Sequence, residues 1–354
     1  MPDAAGWLQV KSRAAAQAQP LTANLELTYR CNWRCVFCYN PRHHDRRGLS
    51  VEEWIAVLDD LRALGTLFVA LTGGEPLAHP GFLDIARAAR ERRLAIRVFT
   101  NGSLVTDEMA DALADLQPLG VELSLHGADP GTHDRATGRP GSFAAFMQGL
   151  ERLRRRSLPL LVKTPLTSLN EGELEAMVAV VDGLGVTHRI DASLTPRDDG
   201  DPSPLRLRAS KAAVERLYAL LARRGALPGA ERQAGGFNCG LGRLTVAIDP
   251  EGDVYPCLQW KRTSIGNVRE RPLRELWPGS PARQDAAQVA LDANEAMRTA
   301  GGAVGRFPFC PALAFQNTGD PLRPDAFHTL QAEVVARVRD EGPTTGEPPS
   351  ATRA

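Results

Sequence analysis

The sequence predicts an α/β fold of parallel strands, because apolar, β-rich segments alternate with amphipathic segments over residues 24–192. Five of the apolar segments are each followed by a segment with the periodicity of an amphipathic helix. Parallel strands joined by right-handed helical crossovers form either a barrel or a doubly wound sheet. In both architectures the functional residues lie at the carboxyl ends of the strands.

The elements of this region follow one another in a regular order. The six predicted strands are Asn24–Thr28, Thr66–Leu71, Ala95–Phe99, Gly120–Leu125, Pro159–Lys163 and Thr187–Ile190. The five predicted helices are Val51–Leu64, Gly81–Arg92, Asp107–Leu116, Ser142–Arg155 and Glu171–Leu184. Cys31, Gly73, Asn101 and His126 follow the ends of the first four strands, so we expect a site at this edge of the sheet.

A second, smaller unit is predicted beyond residue 206. The alternation stops at a segment rich in proline, aspartate and arginine, which has the composition of a linker. Later the turn Asp249–Asp253 separates two apolar segments, Leu244–Ile248 and Val254–Leu258, as in a β-hairpin. Helices are predicted around Lys211–Arg224, near Pro281–Met297 and near Ala326–Arg339. The predicted domains are an N-terminal extension (1–21), a barrel (22–195), a linker (196–206), an auxiliary domain (207–340) and a disordered tail (341–354).

The charge of the chain is balanced. Its 354 residues include 42 Lys and Arg and 42 Asp and Glu, so the formal net charge is zero. This balance argues against recruitment by nucleic acid or by an anionic membrane surface. The first 20 residues lack the apolar core of a signal peptide, and no stretch of ~18 apolar residues occurs. We expect a cytoplasmic protein, in which thiols stay reduced and clustered cysteines bind metal or perform chemistry.

Three of the six cysteines form a tight triplet after the first strand. Cys31, Cys35 and Cys38 offer three thiolates from one eight-residue loop, Cys31–Cys38. A zinc site would need a fourth ligand, for which His43 or His44 is available. A [4Fe–4S] cluster held by three cysteines would instead leave one iron open to an exogenous ligand. The triplet alone favours the iron–sulfur interpretation without excluding zinc.

A second motif, Thr72-Gly-Gly-Glu-Pro76, follows the second strand. Its glycines allow the backbone to approach a ligand closely, and its proline fixes the turn. The carbonyl groups and Glu75 can accept hydrogen bonds from an ammonium group. In isolation, the same motif is an ordinary turn with Glu75 near the N-terminus of the next helix. Next to the triplet, a ligand site becomes the better interpretation.

Together the two motifs resemble those of the radical S-adenosylmethionine (SAM) superfamily. The resemblance covers about residues 22–195, with the triplet in the CxxxCxΦC pattern and Phe37 as the aromatic residue. It implies a partial (β/α)6 barrel of parallel strands. It further implies that the open iron of a [4Fe–4S] cluster chelates the amino and carboxylate groups of SAM. An electron from the cluster would then cleave SAM, and the resulting 5′-deoxyadenosyl radical would abstract a substrate hydrogen.

The resemblance also implies which residues contact SAM. Phe37 would lie against the adenine, and Gly73 and Gly74 would hold the methionine ammonium with Glu75 beside them. Three further residues resemble positions that line this pocket or that hold the SAM carboxylate. These are Asn101, Ser124 and Lys163. Family members often have an arginine where this chain has Thr137. Asn101 and Ser124 are equally compatible with turn residues that satisfy local backbone groups.

The other three cysteines lie in the last third of the chain. Cys239 and Cys257 flank the predicted hairpin and resemble the opening of the SPASM domain, an auxiliary iron–sulfur module. Cys310 resembles the cysteine that joins this pair on the first auxiliary cluster of a full SPASM domain. The resemblance therefore implies a small α+β auxiliary domain with one [4Fe–4S] cluster, whose fourth site is open or filled by another group. The alternative is three unrelated buried cysteines.

Three functions follow from these observations. The first is radical SAM oxidation or cross-linking of a ribosomally made peptide, and the second is the same chemistry on a small-molecule cofactor or natural-product precursor. The third is a metal-binding protein without catalysis. The expected partners are the substrate, a reductant such as flavodoxin or ferredoxin, and a separate protein that binds the leader peptide. The sequence identifies no catalytic acid or base.

Overall fold

Nine strands form one sheet in the computed structural model, which describes residues 4–341. They are β1 (Thr22–Thr28), β2 (Phe68–Gly73), β3 (Ala95–Thr100), β4 (Gly120–Ser124), β5 (Leu160–Pro165), β6 (Thr187–Asp191), β7 (Thr245–Ile248), β8 (Asp253–Tyr255) and β9 (Gly266–Asn267). Their order in the sheet is β6-β5-β4-β3-β2-β1-β7-β8-β9. The first six strands are parallel neighbours in chain order, which confirms the predicted α/β architecture.

Helices connect the strands and continue after the sheet. Those between β1 and β6, with the helix before β1, are α1 (Ala4–Ala16), α2 (Val51–Ala63), α3 (Phe82–Glu91), α4 (Asp107–Leu116), α5 (Pro130–Thr137), α6 (Ser142–Arg155) and α7 (Leu174–Gly183). The later ones are α8 (Lys211–Arg223), α9 (Leu273–Leu276), α10 (Pro281–Ala300), α11 (Gly302–Gly305), α12 (Pro311–Thr318) and α13 (Ala326–Glu341). None of the helices between residues 4 and 341 has the length and hydrophobicity that a membrane crossing requires.

The core lies between the sheet and the helices that cover it. Leu25 of β1 and Leu71 of β2 are paired in register and fully buried. On the helical side, Trp54 of α2 and Phe146 of α6 are among the largest buried side chains. Ser50 and Glu53 form a capping box at the start of α2, which fixes where this helix begins. This packing holds the carboxyl ends of the parallel strands at one edge.

The predicted hairpin belongs to the same sheet as the barrel strands. β7 lies parallel to β1, with Leu25 opposite Ile248, and β8 and β9 add antiparallel pairs. The sequence pattern places the hairpin in a separate unit and does not reveal this pairing. The pairing has a physical cause: without β7, β1 would present an unpaired edge, and the apolar β7 covers it. The domain boundaries themselves remain a prediction.

Several elements differ from the sequence-based expectation. The helices α1, α5, α9, α11 and α12 and the short strand β9 are not predicted. α5 escapes detection because its sequence, PGTHDRAT, is polar; its start is set by Asp129, whose side chain accepts a hydrogen bond from the Thr132 backbone. The predicted linker has tertiary contacts, since the Asp198 backbone N–H donates to the Tyr39 carbonyl. Residues 342–354 of the predicted disordered tail lie outside the described residues.

Candidate active site

The first cysteine triplet lies on the loop that leaves β1. Trp33 is buried under this loop, with its ring 5.3 Å from the His133 ring and 6.0 Å from the His126 ring. The backbone of the loop is tied to the end of α5, because Arg34 N donates to the Thr137 carbonyl at 2.8 Å. The unpredicted helix α5 therefore supports the loop that carries the cysteines.

The thiols of Cys31, Cys35 and Cys38 are close enough to influence one another. All three are free and partly buried. Burial raises the pKa of Cys31 to about 11, and it also raises the pKa values of Cys35 and Cys38. In Cys35 the neighbouring Cys38 and Cys31 thiols raise the pKa further. A metal ion that binds here would displace the thiol protons, because metal ions bind the thiolate form.

The Gly-Gly-Glu-Pro loop packs directly on the start of the cysteine loop. A Cβ atom on Gly74 would lie 2.4 Å from the Arg30 carbonyl oxygen, and one on Gly73 would lie 2.4 Å from the Thr28 oxygen. Gly73 also has a φ of +125°, which favours glycine. The N–H groups of Gly74 and Glu75 donate to the carbonyls of Thr28 and Arg30. Recognition of an ammonium group would therefore fall to carbonyl oxygens of this loop.

Glu75 is buried completely and holds the turn that follows β3. Its carboxylate accepts hydrogen bonds from the Thr100 hydroxyl at 2.7 Å, the Asn101 backbone at 2.7 Å and the Leu77 backbone at 3.1 Å. Burial raises the pKa of Glu75 to about 7, although these hydrogen bonds lower it. The geometry assigns Glu75 a structural role, and direct contact with SAM remains a prediction.

Asn101 is brought to the first triplet, as predicted from its position after β3. Its Nδ2 donates to Asn32 Oδ1 at 2.8 Å and lies 3.9 Å from the Cys31 sulfur. Its Oδ1 accepts hydrogen bonds from the Ser103 backbone and hydroxyl. Both interpretations offered for Asn101 thus describe part of its environment: one end satisfies the local turn and the other faces the cysteine loop.

The remaining candidates lie on neighbouring strands and on the loop itself. Phe37 lies with its ring 5.0 Å from the His126 ring. Ser124 and Lys163 are register partners on β4 and β5. The Lys163 ammonium forms an ion pair with the buried Glu122 and lies 4.0 Å from the centre of the Phe99 ring. Glu122 already balances the charge of Lys163. A contact between Lys163 and the SAM carboxylate remains a prediction.

His126, which the sequence places at this edge of the sheet, forms a buried pair with His133. His126 and His133 lie in contact, and the His126 backbone N–H donates to His133 Nδ1 at 3.2 Å. Burial lowers the pKa of His126 to about 3 and that of His133 to about 4, so both are neutral at physiological pH. The position of His126 after strand four is visible in the sequence, but its packing against Trp33 and Phe37 is not.

The second triplet also converges in space. Cys239 precedes β7, Cys257 follows β8 and Cys310 caps α12. All three pack against one apolar cluster that includes Leu241, Trp260 and Ala312. Burial raises the pKa of Cys310 to about 12, and the neighbouring Cys257 and Cys239 thiols raise it further. The hairpin and α12 thus collect cysteines that are far apart in the sequence.

Neither triplet has the geometry of a site for a single ion. Among residues 4–341, no three His, Cys, Asp or Glu side chains surround one point as ligands of one metal ion would. The thiols within each triplet are nevertheless neighbours. Cys31 and Cys35 of the first triplet and all three cysteines of the second pack against apolar side chains.

Comparisons with known proteins agree with this geometry. Residues 25–181 match the Radical SAM superfamily model, and residues 239–300 match the SPASM iron-sulfur cluster-binding domain. Mycofactocin maturase MftC of Mycobacterium ulcerans is 31% identical over 280 residues, which cover 74% of this chain and 75% of that protein. The chain belongs to the radical SAM superfamily.

Two further similarities extend the comparison of this radical SAM enzyme. PqqA peptide cyclase of Ruegeria pomeroyi is 30% identical over 278 residues, which cover 73% of this chain and 74% of that protein. Among solved structures, Streptococcus suis SuiB bound to its precursor peptide SuiA superposes with a TM-score of 0.64 at 16% identity, covering 80% of this chain and 72% of that chain. At that identity the likeness shows the fold alone. The cofactors of the enzyme are a SAM-binding [4Fe–4S] cluster, SAM and an auxiliary iron–sulfur cluster.

Proposed function

We propose that this radical SAM enzyme oxidises or cross-links side chains of a ribosomally made peptide. The observation that carries the proposal is the similarity to a maturase and a peptide cyclase over about three quarters of each chain. The fold is also similar to that of an enzyme solved with its precursor peptide. The expected partners are the peptide, a reductant such as flavodoxin or ferredoxin, and a separate protein that binds the leader peptide. We place the enzyme in the cytoplasm, where thiols stay reduced.

Cys31, Cys35 and Cys38 would hold the SAM-binding cluster. When bound, this cluster and SAM supply a 5′-deoxyadenosyl radical that removes a hydrogen atom from the substrate. Carbonyls of Gly73 and Gly74 would accept hydrogen bonds from the methionine ammonium, and Phe37 would pack against the adenine. Glu75 would act indirectly, by holding the Thr100–Asn101 backbone beside the cysteine loop.

Cys239, Cys257 and Cys310 would hold the auxiliary cluster. A cavity of about 240 Å³ lies between the segment after β6, the segment after Cys257 and α12. Its walls include Asp198 from the barrel side, Trp260 from the segment after Cys257, and Phe315 from α12. A cavity of this size accommodates part of a ligand rather than a whole peptide. We propose that it receives the side chain that is modified.

The experiment is co-expression with short peptides encoded beside the gene, followed by mass spectrometry of the peptides. The proposal predicts that one peptide loses hydrogen, with a mass decrease in multiples of about 2 Da, and that 5′-deoxyadenosine forms with it. The matched control is the Cys31→Ala/Cys35→Ala/Cys38→Ala variant, which should leave the peptide unchanged. Formation of 5′-deoxyadenosine without any change in a peptide, but with a change in a small molecule of the extract, would instead support a small-molecule substrate.

A further inference from the structure

Lys261 forms a buried ion cluster that the sequence motifs do not include. It is one of only four lysines in the chain, and its side chain is 11% exposed. Its Nζ lies 2.7 Å from Glu26 Oε2 and 2.8 Å from Asp198 Oδ2. The same ammonium lies 5.5 Å from the centre of the Tyr29 ring and 5.8 Å from that of the Tyr39 ring.

The cluster joins three segments that approach the two cysteine triplets. Glu26 lies on β1, and Asp198 lies on the segment after β6. Tyr39, the residue after Cys38, donates its hydroxyl to Glu26 Oε1 at 3.0 Å, and its carbonyl accepts a 2.8 Å hydrogen bond from Asp198 N. Lys261 itself follows Trp260, which packs with the auxiliary cysteines and donates its backbone N–H to the Cys257 carbonyl.

In the cluster, the ammonium of Lys261 faces two carboxylates, those of Glu26 and Asp198. Burial raises the pKa of Glu26 and that of Asp198, and Lys261 opposes both shifts. Removing one partner from a buried ion pair is costly because it leaves the other charge uncompensated, whereas removing both partners is much less costly. Without Lys261, Glu26 and Asp198 would face each other beside the Tyr39 backbone and would separate or take up water.

We infer that Lys261 is a positioning residue that holds the loop of the first triplet, the segment after β6 and the segment of the second triplet in one arrangement. Its ammonium group holds the three segments together through ion pairs and ring contacts. Lys261 also lines the 240 Å³ cavity, so the arrangement of the segments sets the shape of that cavity. The inference does not depend on which substrate the enzyme modifies. It predicts that the Lys261 ammonium affects the two segments and SAM binding by pairing with the carboxylates of Glu26 and Asp198.

The test uses the reconstituted holoenzyme in five forms: wild type, Lys261→Met, Lys261→Arg, Glu26→Gln/Lys261→Met, and Lys211→Met as the control. Lys211 is exposed at the start of α8, so its loss changes the net charge without touching the cluster. Three quantities are measured: iron per chain, hydrogen–deuterium exchange of residues 36–47 and 194–202, and the SAM-dependent change in the EPR spectrum of the reduced enzyme. The initial rate of 5′-deoxyadenosine formation is recorded alongside.

Lys261→Met should keep the iron content, increase exchange in both segments and alter the EPR change that SAM causes. Its rate of 5′-deoxyadenosine formation should fall at least about tenfold, because small displacements of positioned groups cost that much. Lys261→Arg keeps the charge and should recover most of each effect. The double variant leaves one uncompensated carboxylate, Asp198, where Lys261→Met leaves two, so it should recover only part. The inference is overturned if Lys261→Met behaves like Lys211→Met, or if Lys261→Arg is no better than Lys261→Met.

Discussion

The buried carboxylate of Glu75 accepts a 2.7 Å hydrogen bond from the backbone N–H of Asn101. This bond connects the loop after β2 to the turn after β3, and Asn101 in turn reaches Cys31 and Asn32. The two loops therefore form one support for the first cysteine triplet. The chemical requirement at position 75 is an acceptor for three donors.

Glu75→Gln should weaken this support. The amide keeps one acceptor oxygen but presents an NH2 group to donors that then lack a partner, which costs about 1–3 kcal/mol. We expect a lower unfolding temperature and weaker SAM binding, measured by differential scanning fluorimetry and equilibrium dialysis under anaerobic conditions. Glu333→Gln on the exposed face of α13 is the control and should match wild type. Unchanged stability and SAM binding in Glu75→Gln would contradict the structural role of Glu75.

Gly74→Ala should displace the backbone that leads to the cysteine loop. The added methyl group would lie 2.4 Å from the Arg30 oxygen and 2.6 Å from the Tyr29 oxygen, and backbone atoms cannot move aside cheaply. Overpacking of this kind costs about 1–3 kcal/mol or more. Iron content after reconstitution and the unfolding temperature should both fall. Gly172→Ala, where the added methyl group meets no atom within 4 Å, should leave both unchanged.

His188 should make the protein less stable in acid. Burial lowers its pKa to about 4, while Nε2 lies 2.9 Å from the Thr164 hydroxyl. In the unfolded chain the imidazole titrates near 6.5, so the unfolded state gains a proton first as the pH falls from 6.5 towards 4. Stability is therefore lost over this range as the pH falls.

His188→Gln removes the titrating group and should reduce the loss of stability between pH 7 and 5.5 by about 1 kcal/mol. The measurement is the difference in unfolding free energy between variant and wild type at the two pH values, so that effects of acid on the clusters cancel. The same pH dependence in both proteins would show that His188 is not the responsible group.

Thr137→Arg should not restore the arginine that relatives often have here. Thr137 is fully buried, and its hydroxyl lies 2.6 Å from the Ser142 hydroxyl. An arginine would carry an unpaired charge and several extra atoms into this packed site, which costs several kcal/mol. We expect a large fall in the unfolding temperature of Thr137→Arg. Thr137→Ser should lower the free energy of unfolding by less than about 1 kcal/mol. A stable Thr137→Arg enzyme that binds SAM more tightly would contradict this reading of the pocket.

The parts of the site predicted from sequence are those that local patterns encode. The spacing of Cys31, Cys35 and Cys38 and the glycines of the second motif lie within short segments, so their chemistry is visible without the fold. The strand periodicity likewise predicts which strand ends meet. The convergence of Cys239, Cys257 and Cys310 needed a family resemblance, because no local pattern brings them together.

Long-range polar contacts were beyond sequence reasoning. Lys261 and Glu26 meet only because β7 covers the free edge of β1, a pairing that hydrophobic periodicity does not encode. Hydrophobic periodicity does not detect helix α5 either, because its sequence is polar. This helix nevertheless carries His133 and supports the cysteine loop. The rarity of lysine is one signal in the sequence, because the chain has only four lysines among its 42 basic residues.

The central claim is that each cysteine triplet holds one [4Fe–4S] cluster, and iron content tests it most directly. Anaerobically reconstituted wild type should bind about eight irons per chain. The Cys31→Ala/Cys35→Ala/Cys38→Ala variant and the Cys239→Ala/Cys257→Ala/Cys310→Ala variant should each bind about four, with only the latter still producing 5′-deoxyadenosine from SAM. An iron content that the second variant leaves at the wild-type value would contradict the account, because those cysteines would then hold no cluster.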